Sequence, residues 1–197
     1  MPLFHIGGLG LAMSAVYRGM TSVLLKQFDP GVMWDLIDAE KITGFFAVPR
    51  VWEKFYAGVS EVLGRLTGAK RVIAKRAFAV GRRHVAARSR GEQPGAGLRL
   101  QYRLFDRLVY STAKKKMGLD QAHDVFSAAA PLSPAITEFF AGLGMQILNI
   151  YGQSECTGLC SFNRPARNLI GSVGPALPGV DLKIAGDGEI LTRGPNN

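Results

Sequence analysis

The sequence predicts an α/β fold built on a mostly parallel sheet. Short apolar runs that fit buried strands occur at 21–25, 42–48, 124–130 and 145–150. Helical patterns separate these runs, and strands that alternate with helices favour a parallel sheet. The composition agrees, because 47% of the 197 residues are hydrophobic and 20% are charged, as in ordinary globular proteins.

Helices are predicted between and around the strands. Proline marks the start of three of them, at Pro30, Pro49 and Pro134, since a first-turn N–H has no partner within the helix. Asp29 and Ser133 precede two of these prolines as candidate N-caps. The predicted helices cover 7–19, 30–41, a stretch from 49 that places Val51, Phe55, Val59 and Val62 on one face, 67–90, 98–117 and 134–142.

The end of the sequence has a different character. A glycine- and proline-rich loop at 171–179 is followed by two β-forming runs, 180–185 and 189–193. Asp187-Gly188 lies between them and predicts a tight hairpin. These patterns predict four segments: 1–64 as α/β, 65–118 as a basic helical insertion, 119–165 as α/β again, and 166–197 as the start of a β subdomain.

The net charge of +9 is concentrated in one segment. Residues 65–116 hold 15 of the 24 lysines and arginines but only two acidic residues, Glu92 and Asp106. Such a segment is typical either of a solvated face or of a surface for anionic partners, such as a membrane or a nucleic acid. The nucleic-acid alternative rests on charge alone, because the aromatic residues in this segment are widely spread.

The expected location is the cytoplasm, with peripheral membrane contact as an option. The chain has two cysteines, Cys156 and Cys160, too few for a disulfide scaffold, and no partner nearby in sequence completes a zinc site. They are interpreted as structural thiols. The apolar stretch 7–16 is too short to span a bilayer. His84, within the basic segment, is expected to be solvated.

Two loops follow predicted strands, where ligands bind to open parallel sheets: 130–133 and 151–155. Tyr151 offers an aromatic face for a base and Gly152 permits close backbone approach. The Ser154 hydroxyl can contact a phosphate, and the Glu155 carboxylate can hold Mg²⁺. On these residues alone, an ordinary turn with a capping serine and a solvated glutamate is the favoured alternative.

Five stretches, taken together and in order, resemble the motifs of adenylate-forming enzymes. They are PLFHIGG at 2–8, SAAAPL at 127–132, IYGQSECTG at 150–158, GSVGPALPG at 171–179 and GEILTRGP at 188–195. The resemblance covers nearly the whole chain. It implies that the chain is part of the large N-terminal domain of such an enzyme.

One branch of this superfamily fits better than the others. Residues 47–54 are similar to the V-P-R-V-x-E-K stretch of long-chain fatty acyl-CoA synthetases, and 65–116 resembles their helical insertion, including 104–109. The Ala-Ala-Pro form of 129–131 resembles the bubblegum-type branch. An aryl-CoA ligase or a peptide-synthetase adenylation domain stays an alternative, although the latter usually lacks this insertion.

The resemblance implies roles for individual residues. Tyr151 stacks on the adenine, Gly152 belongs to the nucleotide-binding residues, Ser154 contacts the α-phosphate and Glu155 binds Mg²⁺. His5 lies near the carboxylate and pyrophosphate end of the acyl site. The adenine and acyl sides are also lined by Ala129, Ala130 and Pro131. Ala128 and Ala129 replace glycines that are common in the superfamily, and Ile150 replaces another.

The implied reaction joins a fatty acid to CoA at the expense of ATP, which becomes AMP and pyrophosphate. ATP, CoA and fatty acid are thus the expected small-molecule partners, Mg²⁺ the expected metal ion, and nucleic acid is not expected. The sequence contains no phosphate loop of the [ST]-S-G-[ST]-[ST]-G-x-P-K type, no T-G-D segment and no lysine-bearing C-terminal domain. It is therefore expected to be a fragment that is inactive alone.

Overall fold

The structure is a computed structural model that describes residues 5–23 and 30–197. Seven α-helices lie in these ranges: α1 (Ile6–Tyr17), α2 (Pro30–Ala39), α3 (Pro49–Gly64), α4 (Gly68–Ser89), α5 (Ala96–Phe105), α6 (Ser111–Lys116) and α7 (Pro134–Gly142). A π-helix (Asp106–Tyr110) joins α5 to α6, and a 3₁₀-helix covers Ser154–Cys156. The strands are β1 (Gly44–Ala47), β2 (Asp124–Ser127), β3 (Ile147–Tyr151), β4 (Ser161–Phe162), β5 (Asp181–Ile184) and β6 (Ile190–Arg193).

The main sheet has the strand order β1-β2-β3-β4, and its first three strands are parallel. The parallel sheet expected from the sequence is therefore confirmed. Ala47 of β1 pairs with Ser127 of β2, which pairs with Asn149 of β3, so the carboxyl ends of these strands lie at one edge. The short β4 runs antiparallel to the end of β3.

The hairpin expected near the end of the chain is present as β5 and β6. The two strands pair antiparallel from Asp181 with Arg193 to Ile184 with Ile190. In the turn, Gly188 has a φ of +92°, a backbone conformation that favours glycine, and the Asp187 carboxylate accepts a hydrogen bond from the backbone N–H of Glu189.

The strand expected at 21–25 is wrong in its described part. Residues 21–23 are exposed and have no regular secondary structure. Apolar and β-branched residues alone do not make a strand when no neighbouring strand pairs with them. The rest of that run, the Asp29 cap and the first three residues of the PLFHIGG motif lie outside the described residues.

The core lies between the sheet and helices α3 and α7. Trp52 is completely buried and makes edge-to-face contacts with Phe45 of β1 and Phe140 of α7, at centroid distances of 5.4 and 5.2 Å. Its indole N–H donates to the carbonyl oxygen of Phe126 over 3.4 Å. Val51, Phe55 and Val59 pack against this core as the helical pattern predicts, whereas Val62 is 50% exposed.

The basic segment packs on the α/β core through its own apolar face. Gly81 of α4 lies against the backbone of α7, where a Cβ atom would come within 2.4 Å of the Gly142 carbonyl oxygen. The fully buried Tyr110 donates a hydrogen bond from its hydroxyl to the Ala77 carbonyl oxygen. The expected single helix over 98–117 is helical from 98 to 116, but its middle turn is a π-helix. The division into four segments stays a prediction.

Among the described residues, no helix has both the length and the apolar character needed to cross a membrane.

Candidate active site

Two loops lie side by side at the carboxyl edge of the parallel sheet. One, 128–132, follows β2, and the other, 152–158, follows β3. Since β2 and β3 are neighbours in register, both loops leave the sheet at the same place. The crevice outside such strand ends is where open α/β sheets bind ligands. The structure thus brings together the two loops that the sequence singled out.

The loop after β3 closes tightly on itself. A Cβ atom on Gly152 would lie 1.5 Å from the Gly158 carbonyl oxygen, so only glycine fits there. The Gly158 N–H donates to the Gln153 carbonyl oxygen over 3.1 Å, and the Cys160 N–H donates to the Tyr151 carbonyl oxygen over 3.0 Å. Tyr151, the last residue of β3, is half-buried at the root of this closed turn.

Ser154 and Glu155 are presented to solvent by a short, anchored helical turn. Both are exposed, whereas Cys156, the third residue of the same 3₁₀-helix, is only 1% exposed. The hydroxyl and the carboxylate are therefore accessible to solvent, in the same turn as a buried thiol. Glu155 is the only acidic residue between Tyr151 and Gly158.

The end of the chain clamps this loop from the outside. The Asn196 side-chain N–H₂ donates to the carbonyl oxygens of Cys156 and Leu159, each over 3.1 Å. The Thr157 hydroxyl donates to the Asn196 carbonyl oxygen over 2.8 Å. On β6, the Thr192 hydroxyl lies 3.1 Å from the Cys156 sulfur. Sequence reasoning missed this clamp, because an isolated asparagine forty residues from its partners leaves no pattern.

The two cysteines are buried within the clamped loop and differ in their surroundings. Burial raises the pKa of the Cys160 thiol to about 11, so it is protonated at neutral pH. Hydrogen bonds to Thr192 and Gln153 lower the pKa of the Cys156 thiol. The described residues contain no group of three or more His, Cys, Asp and Glu side chains that could hold a metal ion. The interpretation of structural thiols agrees with this arrangement.

The loop after β2 has an unusual backbone at Ala129. Its φ is +74°, in the left-handed region that glycine adopts readily and alanine does not. Ala129, Ala130 and Pro131 are exposed, and Leu132 anchors the loop in the core with 5% exposure. Adenylate-forming enzymes commonly have glycine at the position of Ala129. The positive φ at this position explains why glycine is preferred there.

Ser127 ends β2 directly below this loop. It is 1% exposed, and its hydroxyl oxygen has no hydrogen-bond partner among the described residues. A buried hydroxyl without a partner is uncommon in proteins. It lies at the strand end from which the loop enters the crevice.

His5 is the N-cap residue of α1, beside the loop that follows β3. Its Nδ1 accepts a hydrogen bond from the Gly7 N–H over 3.0 Å and so caps the helix. When Nδ1 accepts, the neutral ring carries its proton on Nε2, which can donate to an anion. The next residue reaches the neighbouring loop, since Ile6 Cγ1 would lie 3.3 Å from a Cβ on Gly158. The structure therefore brings His5 to the same edge as Tyr151.

The glycine- and proline-rich loop, 171–179, is docked on the sheet through asparagine side chains. Asn149 of β3 and Asn163 both donate to the Ser172 carbonyl oxygen, over 3.3 and 2.7 Å. Gly174 has a φ of +77°, and a Cβ there would lie 2.2 Å from the Phe162 backbone. This loop holds the β5–β6 hairpin, and with it Asn196, next to the candidate site.

A protein-family comparison decides the relationship. The profile described as AMP-binding enzyme matches residues 1–197, which is the whole chain. The chain belongs to the AMP-binding enzyme family. The resemblance to adenylate-forming enzymes that the motifs indicate is thereby confirmed.

Named members of the AMP-binding family narrow the comparison. The chain is 32% identical to the long-chain-fatty-acid–CoA ligase FadD15 of Mycobacterium bovis over 98% of its length, covering 31% of that protein. It is 29% identical to the long-chain-fatty-acid–CoA ligase ACSBG2 of Xenopus laevis, covering 98% of the chain and 27% of that protein. The chain thus spans between about a fifth and a third of the length of the curated relatives it matches.

Solved structures of AMP-binding enzymes share the fold. The O-succinylbenzoate-CoA synthetase of Bacillus subtilis, in complex with ATP and magnesium ion, matches all of this chain with a TM-score of 0.58 at 19% identity, over 32% of its own length. The N-terminal domain of FACL13 from Mycobacterium tuberculosis matches 97% of this chain with a TM-score of 0.55, also at 19% identity, over 36% of its own length. The expected α/β class, and its relationship to an adenylate-forming N-terminal domain, are confirmed.

Proposed function

We propose that this chain forms part of the active site of a long-chain fatty acid–CoA ligase that works through an acyl-adenylate. In the first step, a carboxylate oxygen of the fatty acid attacks the α-phosphorus of ATP and pyrophosphate leaves. In the second, the CoA thiolate displaces AMP from the acyl carbon. The observation that carries the proposal is the convergence of the 128–132 and 152–158 loops with the start of α1 at one edge of the sheet.

The adenine is assigned to the place at the edge of the sheet where the two loops leave it. Tyr151 supplies the aromatic face, and the exposed Ala129, Ala130 and Pro131 supply the opposite wall. Gly152 allows the backbone to come close, because it has no side chain where the loop folds against Gly158. The triphosphate then lies over the 3₁₀-helix that begins at Ser154.

Charge determines the roles of the polar residues. The attacking carboxylate and the phosphates are both negative, so their approach needs electrostatic stabilisation. The Ser154 hydroxyl donates to the α-phosphate, and the Nε2–H of His5 donates at the acyl and pyrophosphate end. Mg²⁺ would offset phosphate charge, and Glu155 is the residue that would hold it. A single exposed carboxylate suits this ion, which is usually held by one or two carboxylates together with substrate phosphates.

The test is Glu155→Gln in a longer enzyme that contains this chain. This substitution retains the shape and removes the charge, so we expect adenylation to fall by about 10²-fold or more. Pyrophosphate release is measured at saturating fatty acid over a Mg²⁺ titration. Glu189→Gln, an exposed carboxylate in the hairpin turn, serves as the matched control and should match the wild type. Equal rates for wild type and Glu155→Gln at all Mg²⁺ concentrations would refute the assignment.

The 197-residue chain alone is proposed to be inactive in fatty-acid-dependent ATP–pyrophosphate exchange. The sequence contains neither the phosphate-loop motif nor the lysine-bearing domain of the superfamily. Robust exchange by the isolated chain would show that the reaction needs fewer groups than the superfamily uses. Palmitate, benzoate and an amino acid as substrates separate a long-chain ligase from an aryl-CoA ligase or a peptide-synthetase domain.

We also propose that the basic segment contacts anionic membrane near the point where fatty acid enters. Exposed cations lie along α4, α5 and α6, and each one near an anionic bilayer contributes on the order of 1 kcal/mol. Co-sedimentation with vesicles decides this: binding should rise with anionic lipid content and fall with salt. Vesicle binding that does not change with anionic lipid content would contradict the proposed membrane contact. Tight, salt-sensitive binding to duplex DNA would favour a nucleic-acid partner instead.

A further inference from the structure

An apolar groove of about 620 Å³ lies in the helical part of the chain, away from the sheet edge that carries the candidate active site. Its floor and walls come from α3, the start of α4, the π-helix and α6. Such a volume lies within the range of sites that bind small molecules. Its apolar lining includes Phe55, Val59, Val62, Ile73, Leu108 and Met117.

Three lysines stand at the rim of this groove. Lys54, Lys70 and Lys116 all line it and all are exposed, and no residue that lines it is acidic. A shallower depression of about 430 Å³ adjoins the groove and shares Leu63, Leu66 and Ala74 with it. It adds three more cations, Arg71, Lys75 and Arg82. Arg82 also donates from Nε to the Glu138 carbonyl oxygen over 3.3 Å, which holds its guanidinium at the edge.

Two unusual local features line the groove. Gly58 lies in the interior of α3 and lines the groove, yet a Cβ atom there would meet nothing within 4 Å. Glycine inside a helix lowers stability by about 1 kcal/mol, and here no close packing requires it. Leu108 and Val109, which form one wall, belong to the π-helix, a rare element that often marks functional sites.

We propose that this groove binds a long-chain acyl-CoA, at a site separate from the nucleotide site. The acyl chain fills the apolar groove, and the phosphates of the CoA moiety lie on the cations of the adjoining depression. From Lys70 to Arg82, α4 rises by about 18 Å, which suits an extended head group rather than a single carboxylate. The choice of an acyl-CoA thioester as the ligand rests on the proposed function, because acyl-CoA is the product of the proposed reaction. The site lets product accumulate on the enzyme without occupying the nucleotide crevice.

The experiment is isothermal titration of the 197-residue chain with palmitoyl-CoA below its micelle concentration. CoA and palmitate, titrated separately, should each bind at least about tenfold more weakly, because each lacks half of the contacts. Gly58→Leu fills the groove and should weaken palmitoyl-CoA binding at least about tenfold, since losing contact with two methylene groups is already enough for that. Its melting temperature should be equal or higher, because leucine replaces a helical glycine.

Matched variants distinguish binding of the CoA moiety from binding of the acyl chain. Gly97→Leu, on α5 outside the groove, should leave binding unchanged, since a Cβ there also meets nothing within 4 Å. Lys75→Gln should weaken palmitoyl-CoA and not palmitate. Full affinity in Gly58→Leu, or equal affinities for palmitate and palmitoyl-CoA, would overturn the proposal.

Other occupants give distinct results. A change in the oligomeric state of Gly58→Leu without a change in ligand affinity would assign the groove to a second copy of the chain. Failure of a longer enzyme to bind palmitoyl-CoA at this site would assign it to another segment of that enzyme. Either result would overturn the proposal. Binding here needs no adenylation, so it can fail while Glu155→Gln behaves as proposed, and the reverse also holds.

Discussion

The side-chain amide of Asn196 donates a hydrogen bond to the carbonyl oxygen of Cys156 over 3.1 Å. A second hydrogen bond of the same length reaches the Leu159 carbonyl oxygen, and the Thr157 hydroxyl donates back to the Asn196 backbone. One residue of the hairpin end therefore fixes the segment that immediately follows Ser154 and Glu155. The two exposed polar groups of the candidate site depend on this clamp for their position.

Asn196→Ala should lower the free energy of unfolding by about 1–2 kcal/mol, because a carbonyl oxygen beside a buried thiol loses its donor. Hydrogen exchange at the Thr157 and Gly158 amides should accelerate, and urea denaturation measures the stability. Asn197→Ala, which removes exposed hydrogen bonds to Thr192, is the control and should stay within about 0.5 kcal/mol of wild type. Unchanged hydrogen exchange at these amides in Asn196→Ala would show that the loop keeps its conformation without the Asn196 hydrogen bonds.

Gly152→Ala should destabilise the chain by about 3 kcal/mol or more. The new methyl group would lie 1.5 Å from the Gly158 carbonyl oxygen, so the backbone of the closed turn must move. Gly186→Ala in the hairpin turn is the matched control, because a Cβ there meets nothing within 4 Å, and its stability should change by at most about 0.5 kcal/mol. Similar melting temperatures for the two variants would contradict the close approach.

Alanine-to-glycine changes in the loop after β2 should act in opposite directions. Ala129 has a φ of +74°, so Ala129→Gly relieves strain that exceeds the added entropy of the unfolded chain and stabilises by about 0.5–1 kcal/mol. Ala128, its neighbour, has no such φ, so Ala128→Gly only adds that entropy and destabilises by about 0.5–1 kcal/mol. Thermal denaturation measures the stability of both variants. If the two substitutions change stability in the same direction, backbone strain at Ala129 is ruled out.

Stability should fall as the pH drops below about 6.5, and His84 should account for part of the fall. Burial, and then the charges of Arg88 and Lys114, lower the pKa of this histidine from its ordinary value of 6.5. The folded protein therefore binds fewer protons than the unfolded chain in this range, and stability rises with pH there. His84→Phe retains a ring against Tyr102, which lies at a centroid distance of 3.8 Å.

Urea denaturation between about pH 5 and 7.5 compares wild type, His84→Phe and His123→Gln, the last being an exposed histidine before β2. The slope of the free energy of unfolding against pH should become smaller in His84→Phe and should stay as in the wild type in His123→Gln. Parallel slopes in all three proteins would exclude His84 as a source of the pH dependence. The position of His84 also corrects the sequence-based expectation of a solvated side chain, since it is half-buried and stacked on Tyr102.

Local signals predicted most of the fold. Proline at the first turn places the starts of α3 and α7 correctly, and Asp187-Gly188 places the hairpin. The helical pattern placed Val62 on the same face as Phe55 and Val59, and all three line one groove, but the pattern does not show that Val62 lies beyond the core and is half exposed. Trp52 shows the same limit, since the period of the helix does not reveal which side chain the sheet and α7 enclose.

The candidate site was predictable only in its sequence-local part. Tyr151, Gly152, Ser154 and Glu155 form one contiguous motif on one strand end, so a single pattern finds all of them. Asn196 is forty residues away and acts through its side-chain amide, which no periodicity marks. The left-handed backbone of Ala129 was not predicted, because the resemblance showed only that alanine stands where the superfamily usually has glycine.

The separation of β1 from β2 along the chain has a consequence for the order of folding. Their pairing joins Ala47 to Ser127 across the whole basic helical segment, whereas only α7 and its turns separate β2 from β3. Closing the longer loop loses more chain entropy and slows folding. The β2–α7–β3 unit, from which both loops of the candidate site leave the sheet, is therefore expected to form before β1 joins the sheet.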